Sequence, residues 1–294
     1  MAKEYVIEND YLKVTVTTWG AQVKSVIHKS DNVEHMWCGD PEVWGFHAPV
    51  LFPHCGQVKD GIIEARGMRC ESPIHGFVRL MEHTLIEHSE GSIVMELTAS
   101  EETWKHFPYN FRLLSIFNLD QETLYHTLEV VNDDEEEMPF TVGYHPGFAI
   151  PFDDAHTAND YEIRFSAMES PICLNNMPTG LTYQDHYYFP PNIKSIPVDE
   201  KLFANGSHCM INLRSKTISL YEKDTGRAVV CDITDFPYTL LWSKSGTPKF
   251  VCIEPWHGIP SRIDVSSKWE EKAHGCILAP CDSWMTTMKT SFVR

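Results

Sequence analysis

Residues 250–260 read Phe-Val-Cys-Ile-Glu-Pro-Trp-His-Gly-Ile-Pro. The apolar run 250–253 predicts a short buried β-strand, and the closing glycine and proline predict a turn. Glu254 therefore stands at the predicted exit of a buried strand. The proline at 255 favours an extended backbone at Glu254, and the indole of Trp256 lowers the local polarity, which raises a carboxyl pKa toward the range of a general base. A solvated strand-end glutamate is the simpler interpretation, unless other residues join Glu254.

Short β-type runs recur along the rest of the chain, separated by turn signals rich in Gly, Pro, Asn and Asp. We predict further strands at 12–18, 22–27, 62–65, 91–98, 111–119, 123–131, 161–165, 210–213, 218–222, 228–233, 238–243 and 284–292. The clearest helix is short, because Ser100 can cap it and Pro108 stops it. The region 153–200 is rich in Pro, Asn and Asp and predicts a partly irregular excursion.

No repeat of fixed length and no linker-like change of composition divides the chain. We therefore predict an all-β fold, a large antiparallel β-sandwich with a few short helices. The whole of 1–294 is expected to form this single domain.

Composition limits the partners. The chain has 294 residues, 24 basic against 41 acidic, for a formal net charge of −17. This excess of negative charge opposes binding to nucleic acid and to anionic membranes, so we expect neither as a partner. The chain has no segment with the length of a membrane span and no signal-peptide pattern. Nine cysteines without a C-x-x-C pair indicate reduced, packed thiols in a cytoplasmic protein, which we expect to be a monomer or homodimer.

Two histidines lie at predicted strand-to-loop junctions, where a side chain can reach a cleft. His75 is followed by a glycine and His145 by a proline. For a single histidine, a surface or hydrogen-bonded core position is the commoner outcome. Two histidines together with Glu254 form a set suited to acid and base chemistry near neutral pH.

Five stretches, 51–57, 74–79, 143–148, 235–243 and 252–258, occur in the order and approximate spacing of the aldose 1-epimerase (mutarotase) family. The sequences Ile-Glu-Pro-Trp-His-Gly and Gly-Tyr-His-Pro-Gly-Phe carry most of this resemblance, which runs nearly end to end. Within the family the chain is most similar to the LacX-like bacterial branch. The resemblance implies the galactose mutarotase-like supersandwich, an antiparallel sandwich whose open face holds the sugar.

The resemblance also implies a reaction, the interconversion of the α and β anomers of an aldose. Glu254 is expected to be the general base that takes the proton of the C1 hydroxyl, and His145 the general acid that protonates the ring oxygen. The ring opens, the C1–C2 bond rotates, and the same groups work in reverse. This chemistry requires neither a metal nor an organic cofactor, so we expect none.

The sugar-binding residues implied by the resemblance surround this pair. His75 is expected to hold a sugar hydroxyl or the ring oxygen, and Arg79 to assist it. Gln57 stands at a position that contributes to the sugar site in the family. Trp256 and Trp242 are candidates for stacking on the apolar face of the sugar, although either can equally belong to the core.

Two departures from the family pattern motivate an alternative function. The family usually has arginine where Gln57 stands, and relatives commonly have aspartate where Gly206 stands. An amide hydrogen-bonds a hydroxyl but cannot stabilise negative charge on oxygen as a guanidinium does. The alternative is a non-catalytic sugar-binding or regulatory member of the family. A third possibility, glycoside hydrolysis by Glu254 with Asp264, fits less well because hydrolases generally need two carboxylates across the scissile bond.

The charge of the substrate is a separate question. The net charge of −17 and the lack of a basic cluster near the motifs favour an unphosphorylated sugar. Arg79, Arg262 and Lys244 would form a local basic patch only if folding brought them together.

Overall fold

The computed structural model describes residues 2–272 and 275–294. The strands are β1 (Glu4–Glu8), β2 (Leu12–Thr17), β3 (Gln22–His28), β4 (Val33–Glu34), β5 (Val50–Leu51), β6 (Ile62–Ala65), β7 (Met68–Glu71), β8 (Thr84–His88), β9 (Ser92–Thr98), β10 (Phe111–Asp120), β11 (Thr123–Asn132), β12 (Met138–Phe140), β13 (Val142–Tyr144), β14 (Gly147–Ala149), β15 (Tyr161–Glu169), β16 (Ile172–Leu174), β17 (His186–Tyr188), β18 (Ile193–Pro197), β19 (His208–Ile211), β20 (Thr217–Glu222), β21 (Ala228–Asp232), β22 (Tyr238–Trp242), β23 (Phe250–His257), β24 (Cys276–Leu278) and β25 (Ser283–Val293). Helical structure consists of α1 (Glu101–Trp104) and short 3₁₀ turns at Lys59–Gly61, Val78–Leu80, Ala158–Asp160 and Trp269–Glu271.

Two large antiparallel sheets dominate the fold. The nine-stranded sheet has the order β18-β15-β20-β21-β25-β11-β10-β9-β8. The eight-stranded sheet has the order β17-β16-β19-β22-β23-β13-β5, and β14 also pairs with β23. Smaller sheets are formed by β1 to β4, by β6 with β7, and by β12 with β24. The predicted antiparallel β-sandwich is confirmed.

Alternation of side chains explains how the two sheets meet. In β11, the alternate residues Leu124, His126, Leu128 and Val130 are buried while the residues between them are half-buried, because successive side chains of a strand point to opposite faces. Val251 and Ile253 of β23 belong to the same buried cluster as the three aliphatic residues of this set. Full burial of such aliphatic side chains contributes about 1.5–3 kcal/mol each. One face of the eight-stranded sheet thus packs into the main core.

The opposite face of the same sheet carries the candidate site. Cys252 and Trp256 of β23 lie outside the main core cluster, in two smaller apolar clusters. Glu254 lies between them in the sequence and, by the two-residue period, shares their face. Core residues and site residues therefore alternate along β23, with the core residues on one face of the sheet and the site residues on the other.

The central strand is longer than the sequence predicts. β23 continues to His257, so Glu254 lies inside the strand and the prediction of a strand exit at Glu254 is wrong. On one side of β23, β14 pairs with residues 250–252 and β13 with residues 256–257. Pro255 lies in the gap between these two pairings. Because no described strand pairs with this side of β23 there, the N–H that proline lacks is not needed for a ladder hydrogen bond on that side.

Most other predicted elements are confirmed, with shifted ends. The predicted strand at 210–213 begins earlier, at His208, and the predicted strand at 161–165 continues to Glu169. The hydroxyl of Ser100 caps α1 by accepting the N–H of Thr103 at 3.3 Å. Six of the cysteines are buried, namely Cys55, Cys70, Cys173, Cys209, Cys231 and Cys252. Within 2–272 and 275–294, no helix has the length and apolarity needed to cross a membrane.

Candidate active site

A cleft of about 420 Å³ opens on the outward face of the eight-stranded sheet. It brings together all the site residues that the sequence predicts: Gln57, His75, Arg79, His145, Trp242, Glu254 and Trp256. The lining also includes residues that sequence reasoning missed, among them Trp44, Phe46, Asn176, Met177 and Ser207. The predicted residues come from distant parts of the chain, so the cleft is assembled by the tertiary fold.

The pair at the floor of the cleft is created by a break in strand pairing. β13 ends at Tyr144 and β14 begins at Gly147, so His145 occupies the gap opposite the middle of β23. The Nε2 atom of His145 lies 3.4 Å from Oε2 of Glu254. The backbone N–H of His145 donates to the carbonyl of Pro49 at 3.1 Å, which holds the loop in place. The gap in pairing that accommodates Pro255 in β23 thus also places the His145 side chain beside the carboxyl group of Glu254.

Burial controls the charges of this pair. Glu254 is 1% exposed and His145 is 6% exposed. Burial raises the pKa of Glu254 well above its usual range. Burial and, to a smaller extent, the positive charge of Arg79 lower the pKa of His145 to about 3. Because burial disfavours both charged forms, the pair is favoured as a neutral unit that holds one proton.

Each residue of the pair has a buried polar atom that makes no hydrogen bond to any described residue. Within the described chain, Oε2 of Glu254 and Nδ1 of His145 are buried without a hydrogen-bond partner. The amide oxygen of Asn176, also in the cleft lining, lacks a partner as well. Buried polar groups are normally hydrogen-bonded, so a cluster of exceptions in one cleft points to a polar ligand that completes them.

His75 is held in one tautomer by its neighbour across the turn. The N–H of Gly56 donates to Nδ1 of His75 at 3.1 Å, and the N–H of His75 donates to the carbonyl of Gly56 at 2.8 Å. Since Nδ1 accepts, the ring proton of the neutral imidazole is on Nε2. Burial lowers the pKa of His75 well below its usual value, and His145 and Arg79 lower it further. His75 is therefore a neutral hydrogen-bond donor in the wall of the cleft.

The aromatic residues of the cleft differ in accessibility. Trp256 is 1% exposed, and its indole N–H donates to the carbonyl of Tyr144 at 3.2 Å. Trp242 is half-buried and meets the ring of His145 edge-on at 5.5 Å. Trp44 stacks on the ring of His145, with ring centroids 4.9 Å apart and an interplanar angle of 26°, and it also contacts Trp242 edge-on at 5.4 Å. Of the two predicted tryptophans, Trp242 is the better placed to contact a sugar.

The two departures from the family pattern have different structural settings. Gln57 is half-buried in the cleft lining, and its backbone carbonyl accepts a hydrogen bond from the backbone N–H of Ser261 at 2.9 Å. Gly206 has φ of +100°, and a Cβ there would lie 3.2 Å from Sδ of Met177. A residue with a side chain would therefore be strained at position 206, and this backbone conformation explains why glycine stands there. Of the two positions, Gln57 lines the cleft and Gly206 is outside its lining.

In the part of the chain that the structure describes, two groups of side chains have the spacing of metal ligands. Ligand atoms of His145, Cys252 and Glu254 lie within 4.8 Å of one another, as do those of Asp153, His156 and Glu222. In the first group, burial and the nearby Glu254 raise the pKa of the Cys252 thiol, which disfavours the thiolate that binds metals. In the second group, Arg227 already neutralises the carboxylates. The charge arrangement of both groups thus favours roles other than metal binding.

Comparison with known proteins identifies the family. A family model described as aldose 1-epimerase matches residues 3–274. The chain belongs to the aldose 1-epimerase family. The plasmid-encoded protein LacX of Lactococcus lactis subsp. lactis is 32% identical over 287 residues, which cover 94% of this chain and 95% of LacX. The predicted resemblance, including its LacX-like branch, is confirmed.

Two solved structures that are similar to this member of the aldose 1-epimerase family confirm the fold. A galactose mutarotase related enzyme from Lactobacillus acidophilus superposes with a TM-score of 0.94 at 29% identity, over 99% of this chain and 98% of that one. A galactose mutarotase-like protein from Lactobacillus casei gives a TM-score of 0.91 at 25% identity, over 98% and 99% of the two chains. The galactose mutarotase-like sandwich therefore extends over nearly the whole chain.

Proposed function

We propose that this member of the aldose 1-epimerase family is an isomerase that interconverts the α and β anomers of an aldose. The observation that carries the proposal is the 3.4 Å approach of His145 Nε2 to Glu254 Oε2 at the floor of a cleft. A buried acid and base in direct contact can move one proton between them while a substrate oxygen exchanges another.

In the proposed reaction, the carboxylate of Glu254 takes the proton of the C1 hydroxyl. The imidazolium of His145 gives its proton to the ring oxygen as the bond between C1 and that oxygen breaks. The product is the open-chain aldehyde, with Glu254 protonated and His145 neutral. This is also the protonation state that burial favours, so the return step begins from a stable arrangement.

The return step reverses the roles of the two residues. After rotation about C1–C2, the aldehyde oxygen takes a proton from Glu254 while His145 removes the proton of the C5 hydroxyl, which attacks the other face of C1. No net proton, electron or atom is gained. The two oxygens that exchange protons are bonded to the same carbon in the ring, so the acid and the base must be neighbours. The short distance between His145 and Glu254 agrees with this requirement.

The remaining cleft residues are assigned to binding. We assign the Nε2–H of His75 as a donor to the ring oxygen or a hydroxyl, Gln57 and Arg79 as further hydrogen-bonding groups, and Trp242 as a stacking surface. The indole of Trp256 is assigned to support of the floor, because it is buried and bonded to Tyr144. An acid and a base contribute about 10²–10⁴ in rate each, which together lower the barrier by roughly 5–11 kcal/mol.

Glycoside hydrolysis is less well supported. Of the described residues that line the cleft, Glu254 is the single carboxylate. Asp264 is outside this lining and is engaged by Arg262 at 2.8 Å and by the side-chain amide of Gln184 at 2.8 Å. Because glycoside hydrolases place two carboxyl groups across the scissile bond, one carboxylate and two histidines fit ring opening better.

The proposal is tested by measuring anomer exchange with NMR magnetisation transfer on a panel of aldoses. Wild-type protein is expected to accelerate exchange of at least one aldose above the buffer rate. Glu254→Gln and His145→Ala are each expected to reduce this acceleration by about 10²–10⁴. An unaccelerated panel together with calorimetric sugar binding would instead establish a non-catalytic sugar-binding member.

A further inference from the structure

The buried cation of the cleft, Arg79, has no acidic partner among the residues that the structure describes. Arg79 lies in the 3₁₀ turn Val78–Leu80 and is 9% exposed. Its Nη2 donates to the carbonyl of Ile74 at 2.9 Å, and its guanidinium carbon lies 4.5 Å from the ring centroid of Phe46. Its Nε is buried without a hydrogen-bond partner in the described chain. Most of its N–H donors therefore have no acceptor among the described residues.

Six other arginines of this chain are paired with carboxylates, whereas Arg214 and Arg294 are exposed to solvent. Carboxylates lie within ion-pair distance of the following guanidinium groups: Arg66, Arg69, Arg112, Arg164, Arg227 and Arg262. Burial of Arg79 instead lowers its pKa to about 10, without an opposing acid. In a chain with a net charge of −17, an unpaired buried arginine is unusual, because a buried charge is costly unless it is paired. A ligand anion would supply the missing partner.

The position of Arg79 relates this anion to the sugar ring. Its guanidinium donates a hydrogen bond to the backbone carbonyl of Ile74, the residue before His75. Arg79 therefore lies on the same side of the cleft as His75, the histidine side. Its charge also lowers the pKa values of both His75 and His145. In the proposed reaction, Glu254 holds the C1 oxygen and His145 the ring oxygen. The next ring atom is C5, which carries C6, so the C6 substituent extends to the histidine side.

We propose that the substrate is an aldohexuronate whose C6 carboxylate is bound by Arg79. This inference rests on the proposed function. A single guanidinium matches a carboxylate with two parallel N–H···O hydrogen bonds. A phosphate carries about −1.5 to −2 charges and calls for a second cation. Apart from histidines, Arg79 is the single basic residue among the described residues that line the cleft.

The other basic residues considered from the sequence lie elsewhere. Arg262 is outside the cleft lining and is bonded to Asp264 through both Nε and Nη2. Lys244 is exposed and is also outside the lining. The local basic patch that would suit a sugar phosphate is therefore not formed by these residues.

The test compares acidic and neutral sugars that share stereochemistry. Anomer exchange of wild-type protein is measured by NMR on glucuronate with glucose, on galacturonate with galactose, and on glucose 6-phosphate. For at least one pair, kcat/KM for the uronate is expected to exceed that of the neutral parent by about 10-fold to 100-fold. Equal or better turnover of the neutral parents would overturn the proposal, as would a preference for the 6-phosphate over the uronate.

Substitutions of Arg79 test whether its guanidinium causes the preference for the uronate over the neutral sugar. Arg79→Gln is expected to abolish the uronate preference mainly through KM, and Arg79→Lys to restore part of it, because lysine keeps the charge without the planar fork. Arg69→Gln is the matched control, since it removes one positive charge from an exposed residue paired with Glu64. It should keep the preference. A preference that survives Arg79→Gln would overturn the role of Arg79.

Failure of catalysis is separable from failure of this inference. If no sugar is turned over, calorimetry on wild type and Arg79→Gln compares glucuronate with glucose directly. Tighter binding of glucuronate that is lost in Arg79→Gln would support the carboxylate site in a non-catalytic protein. Equal binding of the two sugars by wild type would refute it.

Discussion

Two buried glutamates on different sheets show how similar side chains acquire different roles. Glu222, on β20, is 0% exposed, and Glu254, on β23, is 1% exposed. Glu222 accepts hydrogen bonds from the hydroxyls of Tyr161 and Thr225 and from Nε of Arg227 at 2.7 Å. By contrast, Oε2 of Glu254 has no hydrogen-bond partner in the described chain.

The difference lies in how each carboxyl group is compensated. The charge of Glu222 is neutralised by Arg227, whose Nη2 also reaches its Oε2 at 2.6 Å, so the group is saturated by the protein itself. Glu254 contacts a neutral histidine at the floor of the cleft, and its Oε2 has no hydrogen-bond partner in the described chain. A saturated buried carboxylate supports the fold, whereas an unsaturated one is available to a substrate at a cost in stability.

Catalysis should separate the two glutamates most sharply. Glu254→Gln is expected to lower the anomerisation rate by about 10²–10⁴ because the amide cannot take up a proton. Glu222→Gln should leave kcat/KM per folded molecule within about twofold, since general effects of distant sites are small. Polarimetry or NMR exchange on both variants, normalised to folded protein, makes the comparison. A comparable loss in both variants would refute it.

Stability is expected to show the reverse pattern. Glu222→Gln leaves Arg227 without its buried partner and should lower the free energy of unfolding by about 3–5 kcal/mol. Glu254→Gln should not lower it. The folded-state pKa of Glu254 is raised, so its favourable contribution is present below the unfolded value of 4.5 and declines as pH rises toward the folded value.

Urea unfolding at several pH values measures both effects. The stability of Glu254→Gln relative to wild type should therefore increase from about pH 5 to pH 8, whereas an ionised, well-solvated Glu254 would give a constant difference. A stable Glu222→Gln protein would show that its hydrogen bonds to Tyr161 and Thr225 suffice without the ion pair.

The pH dependence of kcat/KM should report the pair as a unit. Activity needs one proton on the pair, so the acid limb marks uptake of a second proton and the alkaline limb marks loss of the last one. Burial lowers the pKa of His145 from 6.5 to about 3 and raises that of Glu254 from 4.5. A broad plateau across neutral pH is expected. A narrow bell bounded by values near 4.5 and 6.5 would show that the two groups titrate independently.

The smallest expected effect concerns the aromatic wall. Trp242→Ala should raise KM by about 3-fold to 10-fold with little change in kcat, as expected for loss of a stacking surface. Trp19→Ala is the control, because Trp19 is 43% exposed and does not line the cleft. Steady-state kinetics on both variants distinguish stacking from a structural role, which would lower kcat and stability together.

Much of the fold is predictable from local sequence. The alternation of buried and half-exposed residues in β10 and β11 and the capping of α1 by Ser100 are local patterns, and the structure confirms them. The end of β23 was not predictable, because Pro255 normally indicates the end of a strand. Its tolerance depends on the gap between β13 and β14, which is a property of the neighbouring strands.

The sequence by itself determined the kind of residues in the cleft, since chemical type and family motifs are properties of single stretches such as 143–148 and 252–258. The tertiary structure alone decided which of them meet. Strand order placed His145 opposite Glu254, packing of the loop at 37–50 placed Trp44 on His145, and folding left Arg79 in the cleft lining without an ion pair among the described residues. The reason is physical: hydrogen-bond saturation and burial depend on every neighbour in space, and most of those neighbours are far away along the chain.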